Sequence, residues 1–404
     1  MFTGIFSVKN MFGQDALRTS VAGEQAEEAL AKANATVGYY NLKMGDLQLR
    51  LQSGLSIEAD DNVNLVNSDK QGDVIISPSV NAHLTYPISE KNSLNFNIGI
   101  GYSAYVVHQN LDQLFITPGT ELSFNIFVKD FVINLHDRLS ITEQSYENPE
   151  ASGVANYSYL ENDAGISATW DLNKAQISVD YDHVNLVSFN SAVSQEDSTE
   201  ELFSANAGLD VNNFSELGVE ISAGIIKYDQ NILNGGVQYS AGLFYKLQLS
   251  QYISLRADAG YFIDQLDNNS TSTTNFQSNV DAFYGSLSLE HRINEHVTYT
   301  LQGGRQIQSG LFSDTLDLYY AQLQANWSVV RQWPFTTYFS YENGTETGGL
   351  GEKIERYGFG ASVSRAITRK LDASLAYSFW DRLSNLPGRD YTDNQIVLTL
   401  TYNF

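Results

Sequence analysis

The chain has 404 residues, with Lys+Arg 23 against Asp+Glu 47, a formal net charge of −24, no cysteine and six prolines. So acidic a balance excludes a nucleic-acid binder, which needs clustered Lys and Arg against phosphate. The missing cysteine excludes disulfides, thiolate metal sites and thiol nucleophiles. A hydrophobic share of 42% with 12% aromatics is too rich for a disordered chain, and no stretch reaches the about 18 uninterrupted apolar residues of a membrane helix.

At the start, Met1 to Gly13 places Lys9 inside an apolar stretch with no clear small-residue cleavage site. It reads as a trimmed export signal or as a chain whose start lies further upstream. Asp15 to Asn34 is rich in Ala, Glu, Lys and Leu, and predicts a helix with Leu17, Val21, Ala26, Ala29, Leu30 and Ala33 on a weakly apolar side. Residues 1–45 therefore form an N-terminal segment, either periplasmic or folded into a lumen as a plug, ahead of a single domain at 46–404.

From Leu47 onward the dominant pattern is strict alternation, as in Leu94, Phe96, Ile98, Ile100 and Tyr102 against Asn95, Asn97, Gly99, Gly101 and Ser103. The runs predict strands at 47–59, 73–86, 93–107, 114–128, 131–144, 157–171, 174–189, 199–211, 216–229, 236–248, 252–266, 277–291, 296–309, 314–330, 334–343, 352–366, 370–382 and 391–404. Most are about 10 residues or longer, where globular strands average about 5–6, and the even number suits a barrel with both termini on one side. Tight turns (Lys129-Asp130, Asp171-Leu172-Asn173, Ser250-Gln251, Arg331-Gln332, Thr368-Arg369) alternate with longer polar loops, none of which stands out as a constriction. The fold class is all-β: a transmembrane antiparallel up-and-down barrel of about 18 strands with a short N-terminal helical segment. Trp170, Phe214, Tyr252, Trp327 and Trp333 beside the tight turns predict an interfacial girdle. The terminal alternation of Ile396, Leu398, Leu400, Tyr402 and Phe404 matches the strand that outer-membrane assembly machinery reads.

The polar face then points into a lumen too wide for side chains to fill. Alternation places Arg50, Glu58, Glu121, His136, Arg138, Asp163, Asp180, Asp182, Asp210, Glu220, Lys246, Arg256, Asp258, Glu290, Arg292, Glu342, Arg356 and Asp372 inside. Such an acid-leaning wall predicts a water-filled path with mild cation preference, although cross-strand pairing alone also accounts for any one of these residues. Asp60, Asp61, Asn62 and Asn64 alternate like part of a calcium loop but lack its Gly and distant Glu, so they are a cation site or a solvated turn. Within Asn134 to Arg138, Asp137 falls on the lipid-facing parity, and the expected resolution is a polar cluster of His136, Asp137 and Arg138 in the wall, by a bulge or near the rim. His136, His183, His291 and His296 each adjoin an acid, but adjacent strand residues face opposite ways, so none is a ready-made catalytic dyad. No two histidines share metal-ligand spacing, and neither enzyme activity nor a cofactor is expected.

Gly54 to Val63, Ser77-Pro78, Gly99-Ile100-Gly101-Tyr102 and the Asn134 to Arg138 string resemble the outer-membrane β-barrel porin family of the exopolysaccharide-associated type, over Leu47 to Phe404. Gln14-Asp15-Ala16-Leu17-Arg18 is similar to the mature start of such relatives. The resemblance implies a bacterial outer-membrane channel that passes polar solutes or exports polysaccharide, and it brings no catalytic residues. Expected partners are outer-membrane lipid and lipopolysaccharide, the assembly machinery through Phe404, and polysaccharide. The alternative is a closed scaffold whose acidic loops bind a surface polymer or a partner protein.

Overall fold

The computed structural model describes residues 40–404 apart from 90, 143–147, 156, 268–278 and 331. The predicted helix at Asp15 to Asn34 lies outside the described residues.

Eighteen long strands close into one antiparallel ring. They run from β2 (Leu47–Asp60) through β3 (Asp73–Pro87), β4 (Ser93–Tyr105), β5 (Gln113–Val128), β6 (Phe131–Thr142), β7 (Tyr159–Asp171), β8 (Ala175–Ser188), β9 (Ser198–Asn212) and β10 (Ser215–Tyr228). The ring continues with β11 (Gly236–Ser250), β12 (Ile253–Leu266), β13 (Val280–Asn294), β14 (Val297–Ser309), β15 (Thr315–Val330), β16 (Trp333–Thr347), β17 (Lys353–Ala366), β18 (Leu371–Ser384) and β19 (Tyr391–Asn403). Each strand pairs with the next, and β19 pairs back onto β2 from Gln395↔Asp60 to Asn403↔Gln52. Closure satisfies every strand edge, which an open sheet in lipid could not do. A three-residue β1 (Leu42–Met44) occupies the edge of β2 just beyond the end of β19. Between the two, the Asn41 side chain imitates a strand, donating to Leu51 O at 2.8 Å and accepting from Leu51 N at 3.0 Å.

The strands hold 12 to 16 residues, more than the about 9–11 that cross a bilayer at a tilt, so their outer ends stand clear of the membrane. The two faces separate sharply: Ile221 is 57% exposed beside Glu220 at 7%, and Leu375 is 49% exposed beside Ser374 at 7%. Apolar side chains thus look outward while the wall's polar residues line the inside, the reverse of a soluble barrel. Trp170, Phe214, Tyr252, Trp327 and Trp333 are all exposed at the short-turn end, with Trp170 stacked on Phe131 at 5.0 Å. Lys129, Asn173 and Gln332 make these turns tight by adopting left-handed φ of 55°, 73° and 69°.

Candidate functional site

The lumen face is a belt of cross-strand polar contacts. Opposite the exposed apolar side chains lie Arg50, Glu58, Glu121, His136, Arg138, Asp163, Asp180, Asp182, Asp210, Glu220, Lys246, Arg256, Asp258, Glu290, Arg292, Glu342, Arg356 and Asp372. Many meet an opposite charge or a polar partner there. Arg138 lies between Asp163 at 3.0 Å and Glu121 at 3.6 Å, Lys246 meets Glu216 at 3.4 Å, and Arg256 holds Asp258 at 3.0 Å. Arg292 lies 3.8 Å from Glu290, Tyr284 donates to Glu220 at 3.0 Å, Ser204 donates to Asp180 at 3.2 Å, and Asn403 donates to Asp372 at 3.1 Å.

His136 on β6 reaches Asp182 on β8 at 2.8 Å across the intervening β7. The contact exists because β7 presents Gly165 at the crossing: a Cβ there would sit 2.0 Å from Asp182 Oδ1 and 2.5 Å from His136 Nε2. The expected wall cluster of three is corrected. His136 and Arg138 face the lumen, while Asp137 is exposed on the outer face and accepts Asn162 Nδ2 at 2.7 Å. No bulge turns it, because β6 pairs with β7 without interruption. Its rung continues through Ala164 and His183 to Glu201, so on the outer face Asp137 shares a polar row with His183 and Glu201. Of the other histidines, His183 pairs with Glu201 at 3.0 Å, His108 with Asp73 at 2.8 Å, and His291 with the Tyr299 hydroxyl at 3.0 Å.

The outer mouth departs most from the sequence expectation, which found no constricting loop. Residues 148–155 of the loop between β6 and β7 fold inward over the lumen and are largely buried there: Glu150 and Ala151 are 0% exposed. Ala151, Val154 and Tyr157 join an apolar cluster with Leu65, Val193 and Leu311 of three other loops, and with lumen-facing Tyr338, Trp380 and Tyr391. Gly358 and Gly360 on β17 make room beneath it, since a Cβ would lie 2.5 Å from Trp380 and 2.0 Å from Tyr338. Polar bonds knit the loops together: Gly153 N to Leu65 O at 2.9 Å, Ser152 Oγ to Arg389 O at 3.0 Å, Tyr157 hydroxyl to Glu196 at 2.6 Å, and Gln195 Nε2 to Leu311 O at 3.0 Å. They form a lid.

Under the lid sits a buried charge network that alternation largely missed. Arg382, 0% exposed, pairs with Glu352 at 2.9 Å and donates to Pro149 O at 2.8 Å and Arg389 O at 2.7 Å. Arg389 pairs with Glu352 as well. Arg356 binds Glu342 at 2.7 Å and lies 4.5 Å from the centre of the Trp380 ring, all of it out of water. Glu150 accepts the Leu311 N–H and the Ser313 hydroxyl, the latter at 2.9 Å, and lies beside Glu346. Burial first, and the neighbouring Glu346 second, hold the Glu150 carboxyl well above the usual carboxylate range. Burial likewise raises the Tyr157 hydroxyl, with Glu196 adding to it.

The family model described as "Putative beta-barrel porin 2" matches residues 35–404. Among solved structures, Pseudomonas aeruginosa OccK5 (OpdH) superposes with a TM-score of 0.53 at 10% identity, covering 91% of this chain and 100% of that one. P. aeruginosa OccK2 (OpdF) in complex with glucuronate gives 0.53 at 12% identity, over 89% and 99%. The outer membrane protein OpdK of the same organism, with vanillate, gives 0.53 at 11%, over 88% and 99%. At such identities the likeness is one of fold. No curated protein matches the chain.

Proposed function

The chain belongs to the family described as "Putative beta-barrel porin 2", and from that premise we propose that it is a bacterial outer-membrane channel for diffusion of small polar solutes, with a mouth narrowed by its own loops. The observation that carries this reading is the inverted wall: a closed ring apolar outside and charged inside, ending in a lid knit from loop residues. Its acids outweigh its bases. Glu121 and Asp163 share the single Arg138, and Asp180 and Asp182 stand beside His136. A charged wall in a narrow, low-dielectric passage raises the local concentration of the opposite charge, so the channel favours cations over anions. Passage of a polysaccharide chain, which the sequence resemblance implies, would require the whole lid to swing aside, and the buried Arg382, bonded to Pro149 O at 2.8 Å, opposes that.

The test is the zero-current potential across a planar bilayer that holds the purified chain between unequal KCl solutions. A potential of the sign set by potassium supports the reading. A chloride-set potential refutes the selectivity, and silence at every voltage favours a closed scaffold.

A further inference from the structure

Where the barrel closes, β2 and β19 bring three carboxylates together at the loop end. Asp60 ends β2, Asp61 opens the following loop and Asp393 comes from the start of β19, and one oxygen of each lies within 4.8 Å of the others. Amides hold them in place. Asp60 accepts Asn62 N at 2.6 Å, Asp61 accepts Asn394 N at 2.8 Å and its side-chain amide at 2.7 Å, and Gln395 Nε2 reaches Asp60 at 3.2 Å and Asp393 Oδ2 at 3.0 Å. All these donors are neutral, and among the described residues none of the three acids forms an ion pair. Lys70 binds the Thr392 carbonyl at 2.7 Å and hydroxyl at 2.6 Å instead. Independently of the clustering, Asp393 is 0% exposed and its Oδ1 has no hydrogen-bond partner. A buried, unpartnered acceptor in a trio without counter-charge is costly unless a cation supplies what is missing.

We infer that Asp60, Asp61 and Asp393 bind a hard divalent cation of the calcium class. Ions of this class take carboxylate oxygens at about 2.3–2.6 Å in flexible, irregular shells that mix side chains and water. Magnesium binds at about 2.1 Å and demands a stricter octahedron. Asp61 is exposed, so water completes the shell from the rim. The sequence-based site is redrawn in this proposal. Asn62 Oδ1 is occupied by Val66 N at 3.1 Å and Asn64 Oδ1 by Gln71 N at 3.0 Å, while Asp393 enters from the far end of the chain. The ion staples the first long strand to the last and pins the loop that sends Leu65 into the lid. Its rival is a proton shared between Asp60 and Asp393.

The probe is calcium chloride added to the chelated, purified full chain in detergent. The readouts are displacement of bound terbium luminescence and the temperature at which the barrel loses its folded gel mobility. Wild type binds calcium in preference to magnesium and unfolds at a higher temperature with it. Asp393→Asn and Asp61→Asn each weaken binding about ten-fold or more and remove the calcium-dependent shift, while Asp137→Asn changes neither. Asp61 is exposed, so Asp61→Asn still tests a ligand if Asp393→Asn does not fold. A wild type indifferent to calcium, or undiminished binding in a folded variant, overturns the proposal; stabilisation by acid alone assigns the place to the shared proton.

Discussion

Replacing Arg382 with methionine should release the lid without unmaking the barrel. The guanidinium is fully buried and makes two short bonds to loop carbonyls, Pro149 O at 2.8 Å and Arg389 O at 2.7 Å, and a longer one to Glu150 O at 3.4 Å, besides its pair with Glu352. A hydrogen bond to a charged group is worth about 1.5–3 kcal/mol, so the two short carbonyl bonds anchor the loops by about 3–6 kcal/mol. At about 1.4 kcal/mol per factor of ten, their loss shifts the open-to-closed ratio of the lid about a hundred-fold to ten-thousand-fold. Methionine keeps most of the volume, and Arg389 still faces Glu352, so the wall beneath keeps a counter-charge. The assay is the swelling rate of proteoliposomes in small sugars, with folding checked by heat-dependent gel mobility. Faster influx through folded Arg382→Met is expected. Influx equal to wild type would show that the loops do not gate the path, and the reasoning would fail.

The buried acid Glu150 makes the lid sensitive to pH. Its folded value is raised, so its contribution to docking is complete below the ordinary glutamate value and is lost as pH rises through the raised one. Conductance should therefore climb toward alkaline pH in wild type and stay low and flat in Glu150→Gln; a flat wild-type profile would contradict this. Gly165→Val should force Asp182 and His136 apart, because its Cβ has no room between them, at a cost of about 1–3 kcal/mol. That loss is read as a lower unfolding temperature, and an unchanged temperature would mean that the crossing is loose.

The wall was legible because a barrel strand knows only two environments. Period-2 alternation reports both, which is why Glu220 and Ile221, adjacent in sequence, differ so much in exposure. Asp137 shows the limit of that rule: parity correctly aimed it outward, but only the rung it shares with His183 and Glu201 gives it polar company there. The lid was invisible because loops have no period. Pro149, Ala151, Val154 and Ala155 in an otherwise polar loop were its one written trace. Arg382 falls at the last position of a predicted strand, and its partners Pro149 and Glu150 lie 233 and 232 residues away, a distance that no local pattern bridges. The same holds for Asp393, which ring closure carries to Asp60 from the opposite end of the sequence.

The central claim is that a charged, water-filled lumen ends in a lid made from the loop between β6 and β7. It is tested most directly by single-channel conductance of the full chain beside a variant with Asn148–Val154 replaced by a short Gly-Ser turn. Small cation-favouring steps from the full chain and clearly larger ones from the variant are predicted. Equal steps from the two, or silence from both, would contradict the account.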